Sequence, residues 1–487
     1  MTNPSTPTTA TPTTGGDLAA EAHLESGRLG RASLVSLSLA SFFPAVGIAL
    51  VPLLVFSTAG ANAWQASLLS TIAVICVGRA VTAFARRYIA TGSLYSYIGE
   101  VFGPWARYLT AAALLAGFIA AIGALAAVVG IFAGSFLLSH GVDNALSFGP
   151  QLAIFLVALA LAAAIAYRGL DTSVWIAVTL AVLSFPLVLV ITVASAAKTG
   201  LDLADQFSLS EFSLSGTLQG MAVGAAFLVG FESCTALAAE TRNPRRNVPL
   251  AVMSVPVLLG GIFPLVTILQ VPGLQAASAE LEAGMSAPAA LALHAGLGSG
   301  VATASDLVLA VATFAALIGF INYGARFAMT LADDGVLPGP LGKIHPRHHS
   351  PFVSIAVMSV AGFVLIAALV FAAGDVVSAY YTVAPLVVYL WVLPYVLITI
   401  GAIVLTVRAR EYRPFLIGAS VFGAVATAWM YINGVINPPP APANAMSWVV
   451  LIVLAVLLVV FAITKRRQAP ATAVEVSPQP AAQVEEV

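Results

Sequence analysis

Long apolar runs alternate with short polar connectors along most of this chain. A helix crossing bilayer hydrocarbon needs about 20 consecutive apolar residues. Runs of that kind fall roughly at 34–56, 62–86, 105–138, 151–168, 173–197, 215–240, 248–271, 303–332, 351–373, 376–406, 413–434 and 446–464, which makes twelve expected spans. Lipid offers backbone groups no outside partner, so each span is expected to be a helix. No alternating ten-residue pattern suggests a barrel. The expected fold class is therefore an all-α polytopic membrane protein with 12 transmembrane helices.

Composition agrees with this pattern. The 487 residues are 60% hydrophobic and only 8% charged, against about 25% charged in a soluble globule. The polar N-terminus has no cleavable apolar leader, so the first span is expected to stay in place. Residues 1–33, rich in Thr, Pro, Ala and Gly, and residues 466–487, rich in Ala, Pro, Val and Glu, bury too little surface to fold and are expected to be disordered tails. Cys76 and Cys234 both fall inside expected spans, which argues against a disulfide framework.

Net charge of −1 decides little, but its distribution gives an orientation. Arg28, Arg31, Arg86, Arg87, Arg107, Arg168, Arg242, Arg245, Arg246, Lys343, Arg347, Arg408, Arg410, Arg413, Lys465, Arg466 and Arg467 sit on one side of the expected topology, with only Lys198 on the other. By the positive-inside rule both termini are cytoplasmic and the span count is even, in a cytoplasmic (plasma) membrane. Arg242, Arg245 and Arg246 are expected to meet anionic lipid headgroups.

The first and sixth spans are interrupted. Span 1 contains Pro44, Gly47 and Pro52, and span 6 contains Gly224 and Gly230 with Glu232 two positions on. Breaks in corresponding members of two five-span halves point to an inverted-repeat transporter whose site forms at mid-membrane depth. The halves would be 34–200 and 201–410, followed by two further spans at 411–465. An intramembrane carboxylate is costly unless it faces protein or water, so Glu232 marks a functional interior or ties two spans together. Both roles can hold at once.

Three stretches carry a resemblance: Gly230, Phe231, Glu232, Glu240, Asn243, Pro244, Arg245, Arg246 and Pro249; Arg326, Asp334, Gly335, Leu337, Pro338, His345, Pro346 and Pro351; and Gly92, Tyr95, Tyr97 with Phe102-Gly103-Pro104. In that order and spacing the chain resembles the amino acid, polyamine and organocation superfamily of permeases. The resemblance implies the five-plus-five inverted repeat with broken helices 1 and 6, plus two extra helices. Many relatives break span 1 at a Gly-small-Gly unit, which here corresponds to Ala45-Val46-Gly47. It also implies an aromatic gate at Phe227 and a substrate-stacking ring at Phe320. Plain packing is the other reading of each ring.

Half-helix N-termini offer unpaired amides to a carboxylate, and C-terminal carbonyls receive an ammonium. The amides of Val46, Gly47 and Ile48 are the expected carboxylate site. The carbonyls of Ala45 and of Phe227, Leu228, Val229 and Gly230 are the expected amine site. For coupling and gating the candidates are Glu232, whose neutral form is cheaper to desolvate than its charged form, together with Phe231 and Arg79. Arg79 is more readily explained by pairing with a carboxylate or reaching to the interface.

No phosphate-binding Gly-rich loop, HExxH or nucleophile elbow occurs, so no enzyme, cofactor or nucleic-acid partner is expected. His345, His348 and His349 lack an acidic or Cys companion, so no metal is expected either. The function read from the sequence is secondary transport of a neutral amino acid or related amine, driven by a proton or by sodium. An exchanger is the close alternative; a membrane receptor, sensor or channel is the alternative from a different class. The partners expected are substrate, coupling ion and membrane lipid, with a monomer or homodimer as assembly.

Overall fold

The computed structural model describes residues 27–42, 44–89, 92–208, 212–282 and 285–468. These residues are helical apart from connectors. The elements are α1 (Arg31–Ala40), α2 (Pro44–Ala59), α3 (Ala63–Ala85), α4 (Leu94–Phe102), α5 (Pro104–Leu138), α6 (Phe148–Tyr167), α7 (Leu170–Thr199), α8 (Leu203–Gln206) and α9 (Leu214–Ala225). After the 3₁₀ turns Ala226–Leu228 and Phe231–Leu237 come α10 (Pro244–Ser254), α11 (Gly260–Ala276), α12 (Ser278–Glu282), α13 (Ala287–His294), α14 (Ser299–Asp333), α15 (Phe352–Ala373), α16 (Val376–Arg408), α17 (Pro414–Ile436) and α18 (Met446–Gln468).

Among the described residues, eleven stretches are long and apolar enough to cross a membrane. The first of them runs from Arg31 to Ala85, 55 residues, or roughly 80 Å if it were one straight helix. It is not straight. It turns at Ser41–Phe42 and again at the 3₁₀ turn Gly60–Asn62, after which α3 packs back along α2.

Helix α5 is deeply enclosed, with 83% of its apolar window buried, a share matched by the stretch Leu214–Leu237. It packs against α14, α15 and α16, because its inward positions are small: Ala111, Ala112, Gly117, Ala120, Ala121, Gly123 and Ala124 let helix axes approach closely. A Cβ on Gly123 would stand 3.2 Å from the carbonyl oxygen of Gly362 in α15. The outer helices differ: only 28% of the α6 window and 22% of the α18 window is buried. Leu156 and Val157 of α6, Leu183 and Val193 of α7, and Ile452 and Val456 of α18 stand exposed, an apolar belt suited to lipid and not to water.

Ion pairs and bridges define two faces. On one, Arg28 pairs with Asp171, Arg87 with Glu411 and Arg107 with Asp334. On the other, Asn62 donates to the carbonyls of Gln206 and Ser208, and Ser147 bridges Asp375. The chain is ordered earlier than its composition suggests. Leu29 is 1% exposed, donates its N–H to the Glu240 carbonyl at 2.8 Å and accepts from the Arg242 N–H at 2.8 Å. Residues 1–26 and 469–487, which make up most of the expected tails, lie outside the described residues. Hydropathy also overlooked α4 and α13, which are too short for a membrane-length window.

Candidate functional site

Two helices lose their winding inside the bundle. α1 stops at Ala40, Ser41 and Phe42 form a turn, and α2 begins at Pro44. Proline suits that first position, since its missing N–H would have had no helical partner. The Ser41 hydroxyl donates to the Leu37 carbonyl at 2.7 Å and meets the Tyr323 hydroxyl at 3.0 Å. Gly319 of α14 makes room, for a Cβ there would sit 2.1 Å from the Ser41 oxygen.

The interruption therefore precedes Ala45, Val46, Gly47 and Ile48, which form the first turns of α2. Ala45 and Val46 carry amides with no intrahelical partner. The Ile48 amide and the Ala45 carbonyl are directed into the helix ladder instead, so these two groups differ from their expected unwound state. Pro52 cannot donate to the Ile48 carbonyl, and the Gln270 amide does so at 2.9 Å. Gly47 lets Phe263 of α11 close against the backbone, since an added Cβ would lie 2.8 Å from that ring.

The second break falls where the sequence places it. α9 tightens into the 3₁₀ turn Ala226–Leu228, Val229 is extended, and Gly230 takes φ 87° before the next 3₁₀ turn. Only glycine adopts that backbone without strain. A Cβ on Gly230 would also touch Phe320 and Trp391 at 3.4 Å.

Glu232 is fully buried and clasped by α16. The Trp391 indole N–H donates to Oε1 at 2.9 Å and the Tyr395 hydroxyl to Oε2 at 2.5 Å. The same hydroxyl accepts the Gly230 N–H at 2.6 Å. A single carboxylate thus fixes the break to α16 while its lone pairs are met by neutral donors. Trp391 and Tyr395, spaced four apart and so on one helix face, were not singled out from the sequence. The signal available was Glu232 itself, which demands donors on a neighbouring span.

Beside this clasp lies a cavity of about 90 Å³. Phe42, Phe227, Val229 and Phe320 line it with Ala121 and Leu125 of α5 and Tyr380, Ala384 and Val388 of α16. Tyr380 carries the single side-chain oxygen among the lining residues. Phe42 meets Phe320 edge to face at 5.6 Å. Three expected residues, Phe227, Val229 and Phe320, therefore share one hollow, whereas Ala45 to Ile48 are outside its lining. Phe231 is also outside it, packed at 5.6 Å from the Tyr395 ring.

Toward the arginine-rich face the bundle is closed by charge. Arg326 Nε donates to Glu240 Oε2 at 2.6 Å and Nη2 to Oε1 at 3.0 Å, with side-chain exposures of 1% and 4%. Arg326 Nη1 also donates to Asn322 Oδ1 at 3.0 Å. Beyond it Arg107 binds Asp334 at 2.5 Å, Tyr95 donates to the same oxygen at 2.7 Å, and the guanidinium stacks 4.5 Å over the Tyr95 ring. Burial, then the charge of Asp334, pushes the Tyr95 hydroxyl up, so it remains a donor. Arg79 makes no ion pair with this layer among the described residues. It is exposed, with its guanidinium 5.4 Å over Phe415.

The amino acid permease family profile matches residues 29–461, which includes both breaks, the clasp and the sealing pairs. The chain belongs to the amino acid permease family. Among curated relatives, this permease is 29% identical over 282 residues to the branched-chain amino acid permease BcaP of Lactococcus lactis, covering 53% of this chain and 58% of that one. It is 21% identical over 320 residues to the protein of the same name in Bacillus subtilis, covering 61% and 65%. It is 31% identical over 171 residues to the vacuolar cationic amino acid transporter 4 of Arabidopsis thaliana, covering 33% and 25%. The permease thus matches about three-fifths of the length of the two bacterial relatives.

Proposed function

We propose that this permease is a secondary transporter that carries an apolar, neutral amino acid across the membrane by alternating access. The observation that carries this reading is the cavity at the Gly230 break, walled by aliphatic and aromatic side chains with no charged group among them. At about 90 Å³ it has room for several waters or for an apolar side chain. A substrate would place its side chain there and its ionic head at the interrupted backbones. The first-turn amides of Ala45 and Val46 suit a carboxylate, and the carbonyls of Phe227 to Gly230 suit an ammonium. Two relatives are named for branched-chain substrates and one for cationic ones. A wall without carboxylates favours the first, because a buried cation needs a partner.

The rest of the reading follows from topology. The folded-back pair α2 and α3 makes twelve crossings, arranged as five plus five in inverted repeat with two added helices. Both ends of the described residues lie on the arginine-rich side, which the positive-inside rule makes cytoplasmic. The sealed layer at Arg326 and Glu240 would then be the closed cytoplasmic side. Glu232 is the candidate proton carrier for uptake, with exchange and sodium coupling as the alternatives; its two neutral donors are compatible with a change of protonation. Glu232→Gln should abolish pH-driven accumulation in proteoliposomes and spare exchange, and unchanged accumulation would remove Glu232 from coupling.

Counterflow tests the transport reading itself. Proteoliposomes preloaded with leucine should take up labelled leucine saturably, with arginine a poor competitor. Uptake that does not saturate and is indifferent to preloading would indicate a channel. Binding without uptake would indicate a receptor.

A further inference from the structure

The arginine-rich face holds a second hollow, of about 440 Å³, that the transport reading leaves unused. One wall is the end of α3, with Arg79, Arg86 and Arg87; the other is the connector into α17, with Glu411, Arg413 and Phe415. Four guanidinium groups face one carboxylate. That carboxylate is already engaged, by Arg87 at 2.8 Å and Arg413 at 2.7 Å. Among the described residues no carboxylate lies within ion-pair distance of Arg79 or Arg86. A third contribution comes from the backbone: α17 starts at Pro414, and Phe415 and Leu416, also lining the hollow, carry first-turn amides at the positive end of its dipole.

Depth decides the kind of anion. Arg79 lies seven residues inside α3 from Arg86, about 10 Å along the axis, yet it is exposed on the outer surface. A guanidinium at that depth facing lipid is costly without an anion beside it. Phe415, which lines the hollow, is 72% exposed, and Tyr412, 90% exposed, lies in sequence between the lining residues Glu411 and Arg413, rings of the kind that settle at headgroup level. A soluble phosphate would have no use for these rings, whereas a glycerophospholipid presents its phosphate to the arginines and its acyl chains to the aromatics.

We propose that this hollow holds the phosphate of an anionic phospholipid, with Arg79 and Arg86 on one side of it and the first-turn amides of α17 on the other. Arginine's planar fork matches phosphate oxygens two at a time. The excess of positive charge selects a headgroup with net negative charge over a zwitterionic one.

The test uses the full chain purified in detergent and titrated with dioleoylphosphatidylglycerol, dioleoylphosphatidylcholine or inorganic phosphate. Native mass spectrometry reads the lipid retained, and the melting temperature reads folding. Wild type should retain one phosphatidylglycerol and discriminate against phosphatidylcholine. Arg79→Gln/Arg86→Gln should bind phosphatidylglycerol about 25-fold more weakly, from about fivefold per arginine at a membrane surface, with its lipid-free melting temperature unchanged. Should that variant fail to fold, Phe415→Asp sets a carboxylate at an exposed mouth position and should produce a comparable loss. Undiminished retention in the variant that folds would overturn the proposal. So would an equal loss from Arg245→Gln/Arg246→Gln, which would mean diffuse attraction. Displacement of the lipid by inorganic phosphate would assign the hollow to a soluble anion and overturn it too.

Discussion

Replacing Glu240 by Gln leaves Arg326 charged, 1% exposed and without its carboxylate. Of the two short bonds, at 2.6 and 3.0 Å, the single amide oxygen of Gln can keep at most one and without its charge, and the Asn322 oxygens remain on Nη1. Stripping one partner from a buried pair costs about 3–5 kcal/mol, because the remaining charge is uncompensated. That cost belongs to the closed arrangement alone, where water cannot reach the guanidinium. A penalty of about 3 kcal/mol would raise the opening equilibrium on the arginine-rich side by about 150-fold. Cys234 provides the reporter: it is a free thiol, 1% exposed, on the half of the broken helix that leads to Glu240. In a Cys76→Ser background, we expect Glu240→Gln to speed labelling of Cys234 by a water-soluble maleimide by about a hundredfold. Glu240→Gln/Arg326→Gln, which leaves no buried charge, should recover most of the lost melting temperature. Gly362→Ala, whose new Cβ would stand 2.5 Å from Ile122, destabilises the bundle elsewhere and should leave labelling slow. A Glu240→Gln protein that melts lower but labels no faster would refute the reasoning and make the pair an ordinary structural tie.

Gly230→Ala combines a left-handed backbone with contacts to two rings, so we expect a loss of about 1–3 kcal/mol, read as a lower melting temperature and weaker binding of leucine. Trp391→Phe removes one donor from the buried Glu232 carboxylate and should cost about 1–3 kcal/mol. Tyr395→Phe should cost more, because it also orphans the Gly230 N–H. A melting temperature equal to wild type in both would mean that the clasp contributes nothing.

Hydropathy located the spans to within a few residues, since membrane-length apolar runs leave little ambiguity. Gly230 marked its break correctly because φ 87° needs glycine. The break in the first span was harder to locate: Pro44, Gly47 and Pro52 are all helix-breaking types, yet Pro44 starts a helix, Gly47 accommodates Phe263, and the carbonyl freed by Pro52 is met by Gln270. Each is a tertiary answer to a local weakness, and no local pattern distinguishes them. The same holds for Trp391 and Tyr395, which lie about 160 residues from Glu232 along the chain and meet it only through packing. Arg79 taken alone reads as pairing or reaching to the interface; Arg413 and Phe415 join it only through the packing of α3 beside the start of α17.

Binding of radiolabelled leucine to the purified permease, with and without Ala384→Phe, reports most directly on whether the cavity receives a substrate side chain. Ala384 lines the hollow and is partly exposed, so a benzyl group there fills the space without displacing a buried neighbour. We expect saturable binding to wild type and none to the variant, at equal melting temperature without ligand. Leucine binding that survives the filled cavity unchanged would contradict the assignment.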